Sequence, residues 1–244
     1  MLDELSKKKA FTIDDAEQIS NTKKEVLKVI LSRLEKKGWL ERIEKGKYIV
    51  IPLGAKKGKY TLNEFVLGSY LVNPCNISYW SALNYYGFTE QIPRTVFIQT
   101  TSRKKHQEIK IFGIPYKIIR IKKEKIFGIE KVWLGDTQIN ITDREKTIID
   151  CLDKPQYTGG IIEVSKALRT EEYDKNILIR YAKKIQNSGV IRRLGYICEF
   201  LHISINLPEI KTRNYLKLDP TLPKTNKLDS KWHLIINEEL GGLE

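Results

Sequence analysis

The feature that most constrains this chain is a fixed order of short elements near its N-terminus. Thr12 precedes a short helical stretch with two aspartates in its first turn, where a cap and acidic groups stabilise a helix start. The polar triplet at 20–22 predicts a tight turn, and a longer basic helix follows until Gly38. Two strand patterns then flank a Glu-Lys-Gly-Lys turn at 44–47. This order predicts a winged helix-turn-helix over residues 1–54.

The longer helix has one apolar face. Asn21 or Thr22 is its predicted N-cap, and Glu25 lies three residues after Thr22, as a capping box requires. Apolar side chains recur at helical spacing, which predicts the buried face. That predicted stripe consists of Val26, Leu27, Ile30, Leu31 and Leu34.

The opposite face of the helix is basic. In a helix-turn-helix the second helix enters the major groove of DNA, so this face predicts base and phosphate contacts. The wing strands, at 40–43 and 48–51, carry two further lysines on their turn, within reach of phosphate. The predicted DNA-binding residues are Thr22, Lys23, Lys24, Lys28, Arg33, Lys45 and Lys47. Two other interpretations stay open: the lysines face solvent only, or the module is a protein interface.

The distribution of charge agrees with binding to a polyanion. The chain has a net charge of +13 over 244 residues. Residues 1–59 hold 15 basic and 9 acidic side chains, a net charge of +6 in a quarter of the length. Basic proteins favour DNA, RNA or anionic membranes, so the charge by itself does not choose among them.

The remaining sequence predicts a second, α+β domain over residues 61–244, after a polar linker at 55–60. Thr61 and Ser78 are predicted caps of a helix pair, and Thr142 with Glu145 is a predicted capping box for a later helix. β-branched and aromatic runs predict strands at 95–101, 116–121, 131–134 and 138–141. Further helices are predicted at 143–152, 161–168, 174–187 and 189–201.

The cysteines and the hydropathy pattern indicate a cytoplasmic protein. Cys75, Cys151 and Cys198 are far apart and form no paired motif, so they predict buried thiols and no disulfide framework. The sequence shows neither a signal-peptide pattern nor a run of about 18 apolar residues, so no membrane partner is expected.

Three motifs resemble one family. Ser78-Tyr79-Trp80-Ser81-Ala82-Leu83 with the segment GFTEQIP at 87–93 is similar to the S-x-x-SAL and GLTEQ-P pattern of AbiEi-type antitoxins. The segment TDREKTIID at 142–150, followed by Gly159-Gly160, resembles a second motif of that family. The segment LDPTLP at 218–223, with Trp232 and Asn237, resembles its closing motif. The resemblance covers nearly the whole chain and includes a winged N-terminal domain in the expected order.

The resemblance implies a DNA-binding antitoxin of a type IV toxin–antitoxin system that represses its own operon. The implied partners are double-stranded operator DNA and a nucleotidyltransferase-like toxin, which such antitoxins counter without a stable complex. One departure is the short first helix, because many relatives carry more sequence ahead of it. A free-standing winged-helix regulator with no toxin is the alternative within the same fold.

A metal-dependent nucleic-acid enzyme is the alternative from another class. Gly68-Ser69 lacks the following paired carboxylates that a nucleotidyltransferase needs. Glu145, Lys146 and Asp150 are the best catalytic candidates, yet a capping role and a helix-face ion pair also explain them. The histidines match no metal spacing. Accordingly, the sequence predicts no catalytic activity, no cofactor and no metal.

Overall fold

The computed structural model describes residues 4–5, 10–51 and 63–241. The predicted linker at 55–60 and the predicted cap Thr61 lie outside the described residues. In the N-terminal module residues 4–5 are helical, α1 spans Ile13–Ser20 and α2 spans Lys24–Lys36. Its strands are β1 (Ala10–Thr12), β2 (Leu40–Glu44) and β3 (Lys47–Val50), in the order β1-β3-β2. Strand β1 was not predicted.

Local hydrogen bonds explain the start of α1 and correct the start of α2. Thr12 Oγ1 accepts a hydrogen bond from the Asp15 amide at 3.1 Å, and the Asp15 carboxylate accepts one from the Thr12 amide at 2.8 Å. The predicted Thr12 cap is therefore confirmed. Helix α2 begins after Lys23 with no side-chain cap, and Thr22 instead donates to the Ser20 carbonyl at 3.1 Å. The prediction of an Asn21 or Thr22 cap is wrong because Asn21 ends α1 in a left-handed conformation.

Both faces of the wing sheet carry buried apolar side chains. Its inner face packs on the helices, where Leu27, Leu31 and Leu34 are buried against Phe11, Leu40 and Tyr48. On its outer face Ala10 and Ile49 are buried in the core of the C-terminal domain. Strands of a half-exposed sheet normally alternate between apolar and polar faces, so this sheet is built to be covered on both sides.

The C-terminal domain is organised around a six-stranded mixed sheet with the order β6-β7-β5-β4-β9-β8. Pairs β5·β7 and β4·β9 are parallel, whereas β4·β5, β6·β7 and β8·β9 are antiparallel. The strands are β4 (Asn76–Ile77), β5 (Val96–Thr100), β6 (Glu108–Ile111), β7 (Ile114–Arg120), β8 (Ile129–Leu134) and β9 (Thr137–Thr142). The four predicted strands are confirmed within two residues at each end, while β4 and β6 were missed.

Helices cover both faces of this sheet. Helix α3 (Glu64–Ser69) shares one core with Ile98, Tyr116 and the wing sheet. Asn63 caps α3 by accepting from the Phe65 amide at 2.9 Å. The other helices are α4 (Trp80–Tyr85), α5 (Arg144–Asp153), α6 (Ile161–Arg169), α7 (Lys175–Lys184) and α8 (Ser188–Phe200). Helices α5 to α8 form a second core with the C-terminal segment.

Two further cap predictions are corrected. Helix α4 begins after Tyr79, and Ser78 Oγ is buried with no hydrogen-bond partner among the described residues. Asp143 caps α5 by accepting from the Lys146 amide at 2.7 Å, one residue after the predicted Thr142. Glu145 accepts from the Asp174 amide at 2.7 Å, so it joins α5 to the start of α7.

The C-terminal segment is bound to the helices by charged groups. Its three short strands are β10 (Leu216–Lys217), β11 (Leu228–Asp229) and β12 (Leu234–Ile235). Arg193 of α8 donates to the carbonyls of Leu218 and Leu152, each at 2.9 Å. The Asp219 carboxylate accepts from the Ile161 amide at 2.7 Å, directly after the two glycines. The N-terminus of a helix can bind an anion, and at the start of α6, after Gly159-Gly160, the Asp219 carboxylate occupies that position.

The cysteines are the buried thiols that the sequence predicts. Cys75, Cys151 and Cys198 are free and buried. Burial raises the pKa of the Cys75 and Cys198 thiols to about 12. Within residues 4–5, 10–51 and 63–241, no helix has the length and apolar character that crossing a membrane requires.

Candidate nucleic-acid interface

Helix α2 presents a broad exposed face beside its buried leucines. With 100° between successive residues, Val29 lies near the centre of that face, Lys28 at one edge and Arg33 at the other. All three side chains are exposed. Lys23, at the start of the helix, is exposed as well. The structure thus brings together three of the predicted cations where a helix-turn-helix would meet the major groove.

The exposure of Val26 corrects the predicted apolar stripe, which included this residue. Val26 is 50% exposed and Val29 is 52% exposed, whereas Leu27, Leu31 and Leu34 form the buried stripe. Apolar side chains in the major groove can contact the methyl group of thymine. A helical-wheel count from Leu27 would have placed Val26 outside the buried face, since the two are adjacent and 100° apart.

Lys24 has a different role from its neighbours. Its Nζ lies 2.5 Å from Asp14 and 3.5 Å from Glu17, both on α1. The hydrogen bond that Lys24 donates to Asp14 and the charges of the two carboxylates raise the pKa of Lys24. Because this ammonium is already paired with α1, Lys24 is less available to phosphate than its neighbours on the helix that form no ion pair among the described residues.

The two predicted wing lysines are in contrasting environments. Lys45 is exposed at the tip of the wing. Lys47 points away from the tip: its Nζ donates to the Tyr70 carbonyl at 3.0 Å and to the Leu71 carbonyl at 2.5 Å. Burial is the main reason that the pKa of Lys47 is lowered, and the charge of Lys104 adds to the effect. The predicted phosphate contact of Lys47 does not fit this placement.

A charged junction holds the wing against the C-terminal domain. The Glu44 carboxylate lies 3.5 Å from Lys47 Nζ and 2.7 Å from Lys104 Nζ. Lys104 also donates to the Leu71 carbonyl at 2.7 Å. Glu44, Lys47 and Lys104 are all less than a quarter exposed. We call these three residues the wing junction; they join β2, β3 and the loop after β5.

The catalytic candidates are enclosed. Lys146 and Asp150 contact each other with side chains 0% and 3% exposed, and Gln99 donates to Asp150 at 2.6 Å. Burial raises the pKa of the Asp150 carboxyl, while the contact with Lys146 opposes that change. This buried pair joins α5 to the face of β5. Among the described residues, no group of three or more acidic, cysteine or histidine side chains could hold a metal ion.

The comparisons with known proteins concern both parts of the chain. The chain is similar in fold to the crystal structure of RV2827C protein from Mycobacterium tuberculosis, with a TM-score of 0.64 and 12% sequence identity. That likeness covers 96% of this chain and 89% of the other, so the two-part arrangement of the fold is shared along their lengths. No curated protein matches the chain. Residues 1–51 match the family described as "Transcriptional regulator, AbiEi antitoxin". The N-terminal module therefore carries the sequence pattern of the AbiEi antitoxin regulators, which confirms the resemblance for that part of the chain.

Proposed function

We propose that this chain is a DNA-binding antitoxin that represses its own toxin–antitoxin operon from the cytoplasm. The observation that carries the proposal is the exposed face of α2, where Lys23, Lys28 and Arg33 are exposed on the second helix of the helix-turn-helix. The match of residues 1–51 to AbiEi antitoxin regulators supports it.

Each part of the interface has a distinct task in this proposal. Lys23, Lys28 and Arg33 bind phosphates or guanine edges, and Val29 contacts apolar groups in the groove. Lys24 pairs with Asp14 of α1 and is not assigned a contact with DNA. Lys45 contacts phosphate from the wing, while Lys47 is retained in the wing junction. The operator is expected to hold repeated half-sites, with one chain on each.

The C-terminal domain supplies the antitoxin activity and carries out no catalysis. Its partner is a nucleotidyltransferase-like toxin, which it counters without forming a stable complex. The enclosure of Lys146 and Asp150 supports a role other than catalysis, since both groups contribute to the packing of α5.

The experiment combines DNA binding with protection from the toxin. A labelled duplex from upstream of the chain's own gene is titrated with the wild type, with Lys28→Glu/Arg33→Glu, and with the control Lys183→Glu/Lys224→Glu. Both control lysines are exposed and belong to the α7 helix and the C-terminal segment. We expect the α2 variant to lose binding by at least about 30-fold, since two contacts to the DNA each contribute about 1–3 kcal/mol.

Co-expression with the neighbouring gene product gives the second readout. The α2 variant is expected to restore growth as well as the wild type does, because the antitoxin activity is assigned to the other domain. Unchanged binding by the α2 variant would refute the DNA-binding part. Absence of a toxic neighbour would favour the free-standing regulator.

A further inference from the structure

Strand β6 leaves one edge of the six-stranded sheet open. It is the terminal strand in the order β6-β7-β5-β4-β9-β8, and among the described residues it pairs only with β7. Glu108 and Lys110 are exposed on this strand, and Ile109 and Ile111 alternate with them and pack on the core. An open strand edge carries backbone groups that can pair with another strand, so its side chains decide which partner it accepts.

The register of the β6-β7 hairpin shows which backbone groups face that edge. The Ile118 amide donates to the Gln107 carbonyl at 2.7 Å, so Gln107 and Ile118 form a hydrogen-bonded pair. Such pairs alternate along an antiparallel ladder, and Lys110 lies opposite Pro115, which has no amide hydrogen to donate. The amides and carbonyls of Glu108 and Lys110 therefore point away from β7, toward the open edge.

These outward groups allow two copies of β6 to pair with each other. A two-fold axis perpendicular to the sheet keeps each side chain on its own face, so the axis passes through a residue of the strand and not between two residues. An axis through Ile109 places Glu108 opposite Lys110 of the second copy, and Lys110 opposite its Glu108. Both pairs consist of residues whose backbone groups face outward, so each pair can exchange both of its backbone hydrogen bonds.

The charges of the strand select this register over its neighbours. With the axis at Glu108 or at Lys110, two like charges lie directly opposite, which destabilises a strand pair, whereas the axis through Ile109 pairs only opposite charges. Lys117 of β7 contacts Glu108 from one side, and the second copy adds its Lys110 on the other side. On the opposite face Ile109 meets its own copy next to Tyr116, which extends the apolar core across the axis.

The other edge of the sheet does not have this property. Strand β8 pairs with β9 through a two-residue turn between Leu134 and Thr137, so the outward backbone groups are those of Ile129, Lys131 and Trp133. Lys131 is the only charged residue of these three, and self-pairing of β8 sets it against another lysine or an apolar residue. A lysine in this position works against pairing, as on other edge strands.

We propose that two copies of this chain form a dimer by antiparallel pairing of their β6 strands, which joins the two sheets into one. The partner is a second copy, because the charge order Glu-Ile-Lys is complementary to itself when read in the opposite direction. The inference does not rest on the proposed function, since it concerns the chain without DNA. One short strand from each chain buries less than the roughly 1,600 Å² of a standard interface, so we expect a weak dimer with a dissociation constant in the micromolar to millimolar range.

Charge reversal on β6 tests the register in the full chain. Lys110→Glu gives two pairs of like charges in the dimer, and so does Glu108→Lys. We expect each variant alone to dimerise about 10-fold more weakly than the wild type in sedimentation equilibrium. An equimolar mixture of the two variants should regain an affinity close to that of the wild type, because an acidic strand then meets a basic one. Lys131→Glu, the same change of charge on β8, is the control and should leave dimerisation unchanged.

A disulfide across the axis gives a second readout. The Cα atoms of a non-hydrogen-bonded pair lie about 4.5 Å apart, within the range of a disulfide, so Ile109→Cys should cross-link under air oxidation. Lys131→Cys on the β8 edge is the exposed control and should cross-link more slowly. A sedimentation mass of one chain up to about 1 mM, or a mixture of the charge variants that associates no more strongly than each variant alone, would overturn the inference. Circular dichroism and melting curves establish that every variant is folded.

Discussion

Lys45 and Lys47 lie on either side of Gly46, yet the structure predicts opposite consequences when each is replaced by methionine. Lys47 donates to two backbone carbonyls and contacts Glu44, and it is 23% exposed. Lys45 is exposed. Methionine keeps most of the aliphatic stem in both cases, so that the comparison isolates the ammonium group.

The expected magnitudes follow from these contacts. A hydrogen bond from a charged donor contributes about 1.5–3 kcal/mol, and desolvation of the ammonium offsets part of the two bonds that Lys47 makes. We therefore expect Lys47→Met to lower the free energy of unfolding by about 2 kcal/mol and the Tm by about 4–8 °C. Lys45→Met should change stability by less than about 0.5 kcal/mol.

DNA binding should be affected more by Lys45→Met than by Lys47→Met, the reverse of the effect on stability. Lys45→Met is expected to reduce the salt slope by about 0.9, whereas Lys47→Met should leave it unchanged once the protein is folded. Thermal unfolding by circular dichroism and fluorescence anisotropy at several NaCl concentrations measure the two quantities. Equal melting temperatures, or a lower salt slope for Lys47→Met alone, would refute the assignment of Lys47 to the wing junction.

Two further predictions concern the C-terminal domain: the ionisation of two buried thiols and the packing around Gly195. Burial raises the pKa of Cys75 and Cys198 from 9.0 to about 12, so the unfolded thiols ionise first as the pH rises. The free energy of unfolding should fall between pH 9 and 12 by about 1.4 kcal/mol per pH unit for each thiol. Urea titrations should show a smaller fall in the free energy of unfolding for Cys75→Ala/Cys198→Ala than for the wild type. If the difference in this free energy between the two proteins does not vary with pH, the prediction is wrong. A Cβ at Gly195 would lie 2.2 Å from the Trp232 ring. Gly195→Ala should therefore cost about 1–3 kcal/mol despite the better helix propensity of alanine, and Trp232→Leu in the same chain should restore part of the loss.

The features that depend on neighbouring residues were predictable from the sequence. Thr12 and Asp15 are three residues apart and satisfy each other's backbone and side chain, so the start of α1 needs no information from elsewhere. The β-branched runs of β5 and β7 likewise identified these two paired strands. For α5, Asp143 and Thr142 are adjacent residues that can both cap a helix, and the pattern alone did not distinguish them.

The features that depend on distant residues were not predictable. Strand β6 is an edge strand whose alternation of polar and apolar residues lasts only four residues, with Glu108 and Lys110 exposed, so its pattern is too short to stand out without its partner β7. Lys47 has the same local sequence context as Lys45, and only the carbonyls of Tyr70 and Leu71 distinguish it. A single sequence gives no signal for such a contact. The DNA contacts of the predicted set stay predictions; the structure shows Lys23, Lys28 and Arg33 exposed and Lys47 turned inward.

The doubly covered wing sheet limits how this DNA reader can be exchanged between proteins. Expressed alone, the N-terminal module would leave Ala10, Ile43 and Ile49 in water, and such apolar strips on a sheet promote self-association. A recombination event that grafted another reader onto this chain would need a matching outer face as well. Changes of operator preference in this lineage are then expected to arise by point substitutions on α2, at positions such as Val29, and seldom by replacement of the whole module.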